Sequence, residues 1–150
     1  TQKSLVFKKW LMKITICGSS KFRNEKMDMY NQLLVLWHDP IIDENTKNIV
    51  NGAMEEYLVP WVEDADIKKK YDFIRLYYNF IVESDAIIVC NYDKGDVKHY
   101  IGSNTFLEMG YAHVHHKKIF LLHGMPQQSY ILDELKAMDP IIINWDLSLI

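Results

Sequence analysis

The chain predicts an α/β fold: a doubly wound parallel sheet of five strands in the order 2-1-3-4-5, with helices on both faces. Three observations carry this expectation. Short apolar runs alternate with segments of helical period. The run Ala86 to Cys90 (AIIVC) is apolar without a break, as in a strand covered on both sides. The first run ends in the small-residue turn Gly18-Ser19-Ser20.

Each element follows from local pattern. Lys13 to Cys17 (KITIC) is β-branched and short, and reads as the first strand. Phe22, Met27, Tyr30, Leu33, Leu34 and Trp37 recur at three- and four-residue steps, which predicts an amphipathic helix from Phe22 to Trp37. Pro40-Ile41-Ile42 returns the chain as the second strand. Asp43 to Asp64 is punctuated by Asn45, Asn48, Asn51, Gly52 and Pro60, and is expected to be an irregular lid with a short helix around Ala53 to Leu58. From Ala65 to Val82 the helical register of Ile67, Tyr71, Ile74, Tyr78, Ile81 and Val82 predicts a helix, and Asp85 opens the third strand. Ser103-Asn104 can cap a helix from about Thr105 to His116, followed by a strand at Lys118 to Leu122. A short helix from Ser129 and a last strand at Pro140 to Ile143 complete a Rossmann-like or flavodoxin-like alternation.

With 150 residues, 49% of them hydrophobic and 25% charged, the chain suits one domain over 12–150, with 1–11 as an N-terminal extension. A net charge of -3 argues against a nucleic-acid polymer as partner, because such binding must neutralise many phosphates. A small molecule is the expected ligand. Apolar stretches such as Ile119 to Leu122 fall far short of the ~20 residues a membrane helix needs, so no membrane is expected. Cys17 and Cys90 lie apart in apolar runs, which points to a reducing cytoplasm.

In the predicted strand order, ligands bind at the carboxyl ends of strands one and three, where the connections leave to opposite faces. Two loops frame that crevice: Gly18 to Phe22, and Asn91 to Asn104. The first combines Gly18, Ser19, Ser20, Lys21, Phe22 and Arg23, which are the parts of an anion site at a helix N-terminus. The same residues also serve simply to close and cap a turn. The second runs into a helix where Glu108 stands alone among apolar and small residues. Placed near a helix N-terminus, that carboxylate is expected to stay ionised, as a nucleophile requires; the plainer alternative is a solvated or helix-paired glutamate. His113, His115 and His116 have poor spacing for zinc and read as solvated or capping residues, so no metal and no cofactor is expected.

The ICGSS loop, with SDAIIV, NTFLEMGYAH and KKIFLL after it, resembles the nucleoside 2-deoxyribosyltransferase superfamily, which includes deoxynucleoside 5'-monophosphate N-glycosidases. The resemblance runs from about Met12 to Asp146 and is most specific in the Glu-x-Gly-x-Ala segment. It implies that Glu108 attacks C1' of the sugar and forms a glycosyl ester that water or a second base resolves. It also implies that Gly18, Ser19 and Ser20 line the sugar or phosphate pocket, with Phe22 near the base. Where the family places an aspartate eight residues ahead of the one matching Asp85, this chain has Tyr77. Tyr77, Asp72, Asp93 and Asp96 are therefore alternative proton donors. Six residues before the glutamate stands Gly102, with Ser103 and Asn104 beside it as candidate phosphate contacts. The family often completes its pocket from a neighbouring subunit, which implies a homodimer or larger assembly through Tyr71 to Val82. Two other functions stay open: a non-catalytic nucleotide-binding module, and an NAD-cleaving glycohydrolase.

Overall fold

The computed structural model describes residues 11–53, 69 and 71–150. Five parallel strands form one sheet in the order β2-β1-β3-β4-β5: β1 Lys13–Cys17, β2 Asp39–Ile41, β3 Ala86–Val89, β4 Lys118–Leu121 and β5 Ile141–Ile142. This is the predicted doubly wound fold. The helices are α1 Arg23–Val35, α2 Glu44–Val50, α3 Phe73–Glu83, α4 Ser103–Val114 and α5 Leu132–Ala137.

Alternation along β3 shows why its apolar run is unbroken. Ile87 and Val89 point to a core shared with Tyr77 and Ile81 of α3, Met109 and Ala112 of α4, and Leu135 of α5. Ala86, Ile88 and Cys90 point to the opposite core, with Met29 and Leu33 of α1. A strand sandwiched in this way has no polar face to show. At its start Asp85 accepts a hydrogen bond from the Lys13 backbone at 2.8 Å, and the buried Thr15 and Ser84 hydroxyls meet at 2.7 Å. Asp85 thus ties down the end of the sheet away from the crevice, as its position at the helix-to-strand junction suggests.

Two elements differ from expectation. The first helix begins after a 3-10 turn at Ser20–Phe22 and ends at Val35, and Trp37 lies beyond it in the left-handed region, 79% exposed. Trp37 is therefore not part of the buried face. The segment after β2 opens with an ordered helix, α2, because the Asp43 carboxylate caps it, accepting from the Thr46 backbone at 2.8 Å and its hydroxyl at 2.9 Å. The expectation of an irregular lid fails over that stretch; its remainder, with most of the short helix at Ala53 to Leu58, lies outside the described residues. So do residues 1–10 of the expected extension and residues 65–68 of the expected long helix. Among the described residues, no helix is long and apolar enough to cross a membrane.

Candidate functional site

The site lies where β1 and β3 end side by side. Their last residues pair, Cys17 with Val89, and the Cys90 backbone then donates to the Cys17 carbonyl at 2.8 Å. This close approach dictates Gly18. A Cβ there would lie 3.1 Å from the Cys90 carbonyl oxygen and 3.4 Å from the Lys26 stem, at a φ of +156°. The Gly18 carbonyl accepts from Lys26 Nζ at 3.2 Å, and Lys26 is 4% exposed although it is a lysine.

Glu108 comes to this point from the second turn of α4. Its Oε2 is sealed from solvent and has no hydrogen-bond partner among the described residues, while the residue as a whole keeps partial exposure. Burial pushes its carboxyl up to about 7 and the Asp43 carboxylate adds to the rise; the Cys17 thiol, as a hydrogen-bond donor, and the Lys26 ammonium pull it down. The expected dipole-stabilised anion is therefore corrected. Glu108 lies beyond the first turn, where the dipole acts, and loss of water outweighs it. Cys17, which ends β1, is itself held well above the usual thiol range, first by burial and then by the Glu108 charge.

Tyr77 faces the same cluster from α3. It is 6% exposed, and its hydroxyl donates to Asp43 Oδ1 at 2.6 Å. Burial, followed by the charges of Asp43 and Glu108, raises its hydroxyl well above the ordinary value. Its single proton is directed at Asp43 and bound tightly, so the structure recasts Tyr77 from a candidate acid into a donor that orients Asp43. Asp72, at the start of α3, pairs instead with Arg75. Among the described residues, the charged and titratable groups coupled to Glu108 are Cys17, Lys26, Asp43 and Tyr77, and Asp72 is not one of them.

The loop residues have mixed roles. Ser19 Oγ accepts from the Lys21 backbone at 3.3 Å and caps the 3-10 turn, Ser20 and Lys21 are exposed, and the Ser20 carbonyl accepts from Arg23 Nε. Phe22 is buried, edge-on to Tyr92 at 5.3 Å, so it packs beneath the crevice between the two loops. In the second loop Asp93 accepts from Lys98 Nζ at 2.8 Å and from the His99 backbone at 3.0 Å, which holds its carboxyl below the usual range. Those bonds make Asp93 a brace of its own loop. Asp96 is exposed. Gly102 is buried, a Cβ there would lie 3.5 Å from the Tyr100 ring, and it precedes α4, with Ser103 exposed and Asn104 partly exposed in the first turn.

Lys26 and Asp43 were not among the residues expected here, although both left a trace in the sequence. Lys26 falls on the stripe Phe22, Lys26, Met29, Leu33, a charge at buried helical spacing. Asp43 opens Asp-Glu-Asn-Thr, a capping sequence just past strand two, whose carboxyl end adjoins that of strand one. Comparison of the chain with protein-family models, curated proteins and solved structures returned no match.

Proposed function

We propose that the protein cleaves or transfers the N-glycosidic bond of a (deoxy)nucleoside or its 5'-monophosphate, with Glu108 as nucleophile. The observation that carries this is the enclosed, unpartnered Oε2 of Glu108 at the carboxyl ends of β1 and β3. A carboxylate in an open sheet's ligand crevice, with a lone pair no donor occupies, is poised to bond to an electrophilic carbon. In the anionic form Glu108 attacks C1', the bond from C1' to the base nitrogen breaks, and the base leaves with that electron pair and takes up a proton. Water or a second base then attacks C1' and frees the carboxylate. Asp43 and Tyr77 stand beside Glu108, and on this reading the sugar or phosphate goes to the Gly18 loop and the start of α4.

The test is chromatography of free base after incubation with deoxynucleosides, ribonucleosides, their 5'-monophosphates and NAD. Base released by the parent and not by Glu108→Ala supports the proposal; equal release by both excludes Glu108 as nucleophile. A second reading, a nucleotide-binding module without turnover, is favoured by one observation: Tyr77 and Asp72 are both engaged elsewhere and cannot readily protonate a leaving base. Tight nucleotide binding with no base release from any substrate would establish it.

We also propose a homodimer in a reducing cytoplasm. Ile74, Tyr78 and Val82 are exposed at four-residue steps along α3, beside exposed Leu107 and Val114 of α4, and both cysteines are free. Light scattering should give twice the monomer mass; a monomer at micromolar concentration would contradict the dimer.

A further inference from the structure

Two buried groups at the switch point are each incomplete alone. Lys26 is a buried cation whose one hydrogen-bond acceptor among the described residues is the Gly18 carbonyl. Glu108 Oε2 is a buried acceptor that no donor among the described residues reaches. A lone buried charge of either sign is costly, and a buried pair of opposite sign is much less so. The two come from helices on opposite faces of the sheet, Lys26 from α1 and Glu108 from α4; the Lys26 ammonium is fixed on the carbonyl of Gly18, the residue after Cys17, and Cys17 feels both charges. The Lys26 stem occupies the space a Cβ at Gly18 would need, 3.4 Å away, and the Gly18 carbonyl holds the ammonium at 3.2 Å.

We propose that Lys26 is a positioning residue, a fixed counter-charge that makes the ionised form of Glu108 accessible within the crevice. This rests on Glu108 being the nucleophile proposed above. Three other titratable groups face Glu108: the Cys17 thiol from β1, the Asp43 carboxylate from the start of α2 and the Tyr77 hydroxyl from α3. None of the three is a cation. Asp43 repels the carboxylate charge, the Tyr77 proton is given to Asp43, and Cys17 offers one weak donor. Among the described residues, Lys26 is the cation that acts on Glu108 against both the burial and Asp43.

The decisive experiment compares the parent with Lys26→Met, which keeps the stem and removes the charge, and with Lys26→Arg. The Glu108 carboxyl is titrated directly through its carbon-13 resonance, which needs no turnover. A midpoint near the parent's in Lys26→Arg and about one pH unit higher in Lys26→Met supports the proposal; an unchanged midpoint in Lys26→Met overturns it. Base release should follow: Lys26→Met should be about tenfold slower than the parent at pH 6 and recover as pH rises past 9. A deficit equal at all pH values would mean that Lys26 only shapes the loop. If the parent releases no base, the glycosidic reading fails, while the titration still decides the role of Lys26. Should Lys26→Met not fold, the double variant Lys26→Met/Glu108→Gln decides. Folding of the double variant supports the counter-charge, because the uncompensated carboxylate is gone; failure of both overturns it.

Discussion

A carboxylic acid that loses water without gaining a strong donor keeps its proton to higher pH, and Glu108 shows the consequence for both rate and stability. Its folded value of about 7 lies above the ordinary 4.5. The native state therefore holds more protons than the unfolded chain between those two values, and stability falls as pH rises through that window. Glu108→Gln removes this burden. In urea unfolding it should be more stable than the parent by about 3 kcal/mol at pH 8, with no gain left by about pH 4, since a tenfold change in proton affinity is worth about 1.4 kcal/mol. If Glu108 attacks as an anion, kcat/KM for base release should climb with pH and level off above about 7. Tyr77→Phe takes one donor from buried Asp43 and should cost about 1–2 kcal/mol in the same unfolding measurement.

At the level of elements, two short connections build the site. Asp43 serves as the N-cap of α2 and as the acceptor for α3's Tyr77, so one carboxylate joins two helices. Asp43→Ala should cost about 2–4 kcal/mol, combining a lost cap with a stranded hydroxyl. Asp43→Asn keeps one acceptor oxygen and puts an NH2 group in place of the other, so it serves either the Thr46 backbone N–H or the Tyr77 hydroxyl and should cost about half as much; equal losses by thermal melting would show that the retained acceptor contributes nothing. The β1 to α1 turn depends on Gly18 for a different reason, the 3.1 Å approach that a Cβ would make to Cys90. Gly18→Ala should destabilise by about 2 kcal/mol.

Across the molecule, the loop after β3 is stitched to the loop after β4 at the carboxyl edge. Asn91 accepts from the His123 backbone at 2.9 Å and donates to the Gly124 carbonyl at 2.9 Å, and buried Gln128 pairs with both backbone groups of Ile101. The His99 and His123 rings stack within 4° of parallel, with Trp145 edge-on to His123. Burial lowers the His123 value and the His99 charge lowers it further, against a smaller opposing effect of Asp93. The unfolded chain therefore binds more protons than the native one as pH drops below about 6.5, and stability is lost over that range. His123→Gln should lose less stability than the parent between pH 7 and pH 5, once the two are compared at equal ionic strength. A parallel pH dependence in the two proteins would show that the stack carries no such linkage.

The alternation of apolar runs with helical periods determined the parallel sheet and its two covered faces, because burial on both sides leaves an unbroken apolar mark on β3. Glu108 and the Gly18 loop were legible for a related reason: a lone carboxylate in an apolar helix and a small-residue turn after a strand are local features. Lys26, Asp43 and the partner of Tyr77 were not, although each residue type could be read. Which buried charge meets which depends on bringing α1, α2, α3 and α4 to one point, over separations such as the 34 residues between Asp43 and Tyr77. The ionisation of Glu108 likewise belongs to the tertiary structure, because it is set by the water that packing removes and the charges that packing brings near.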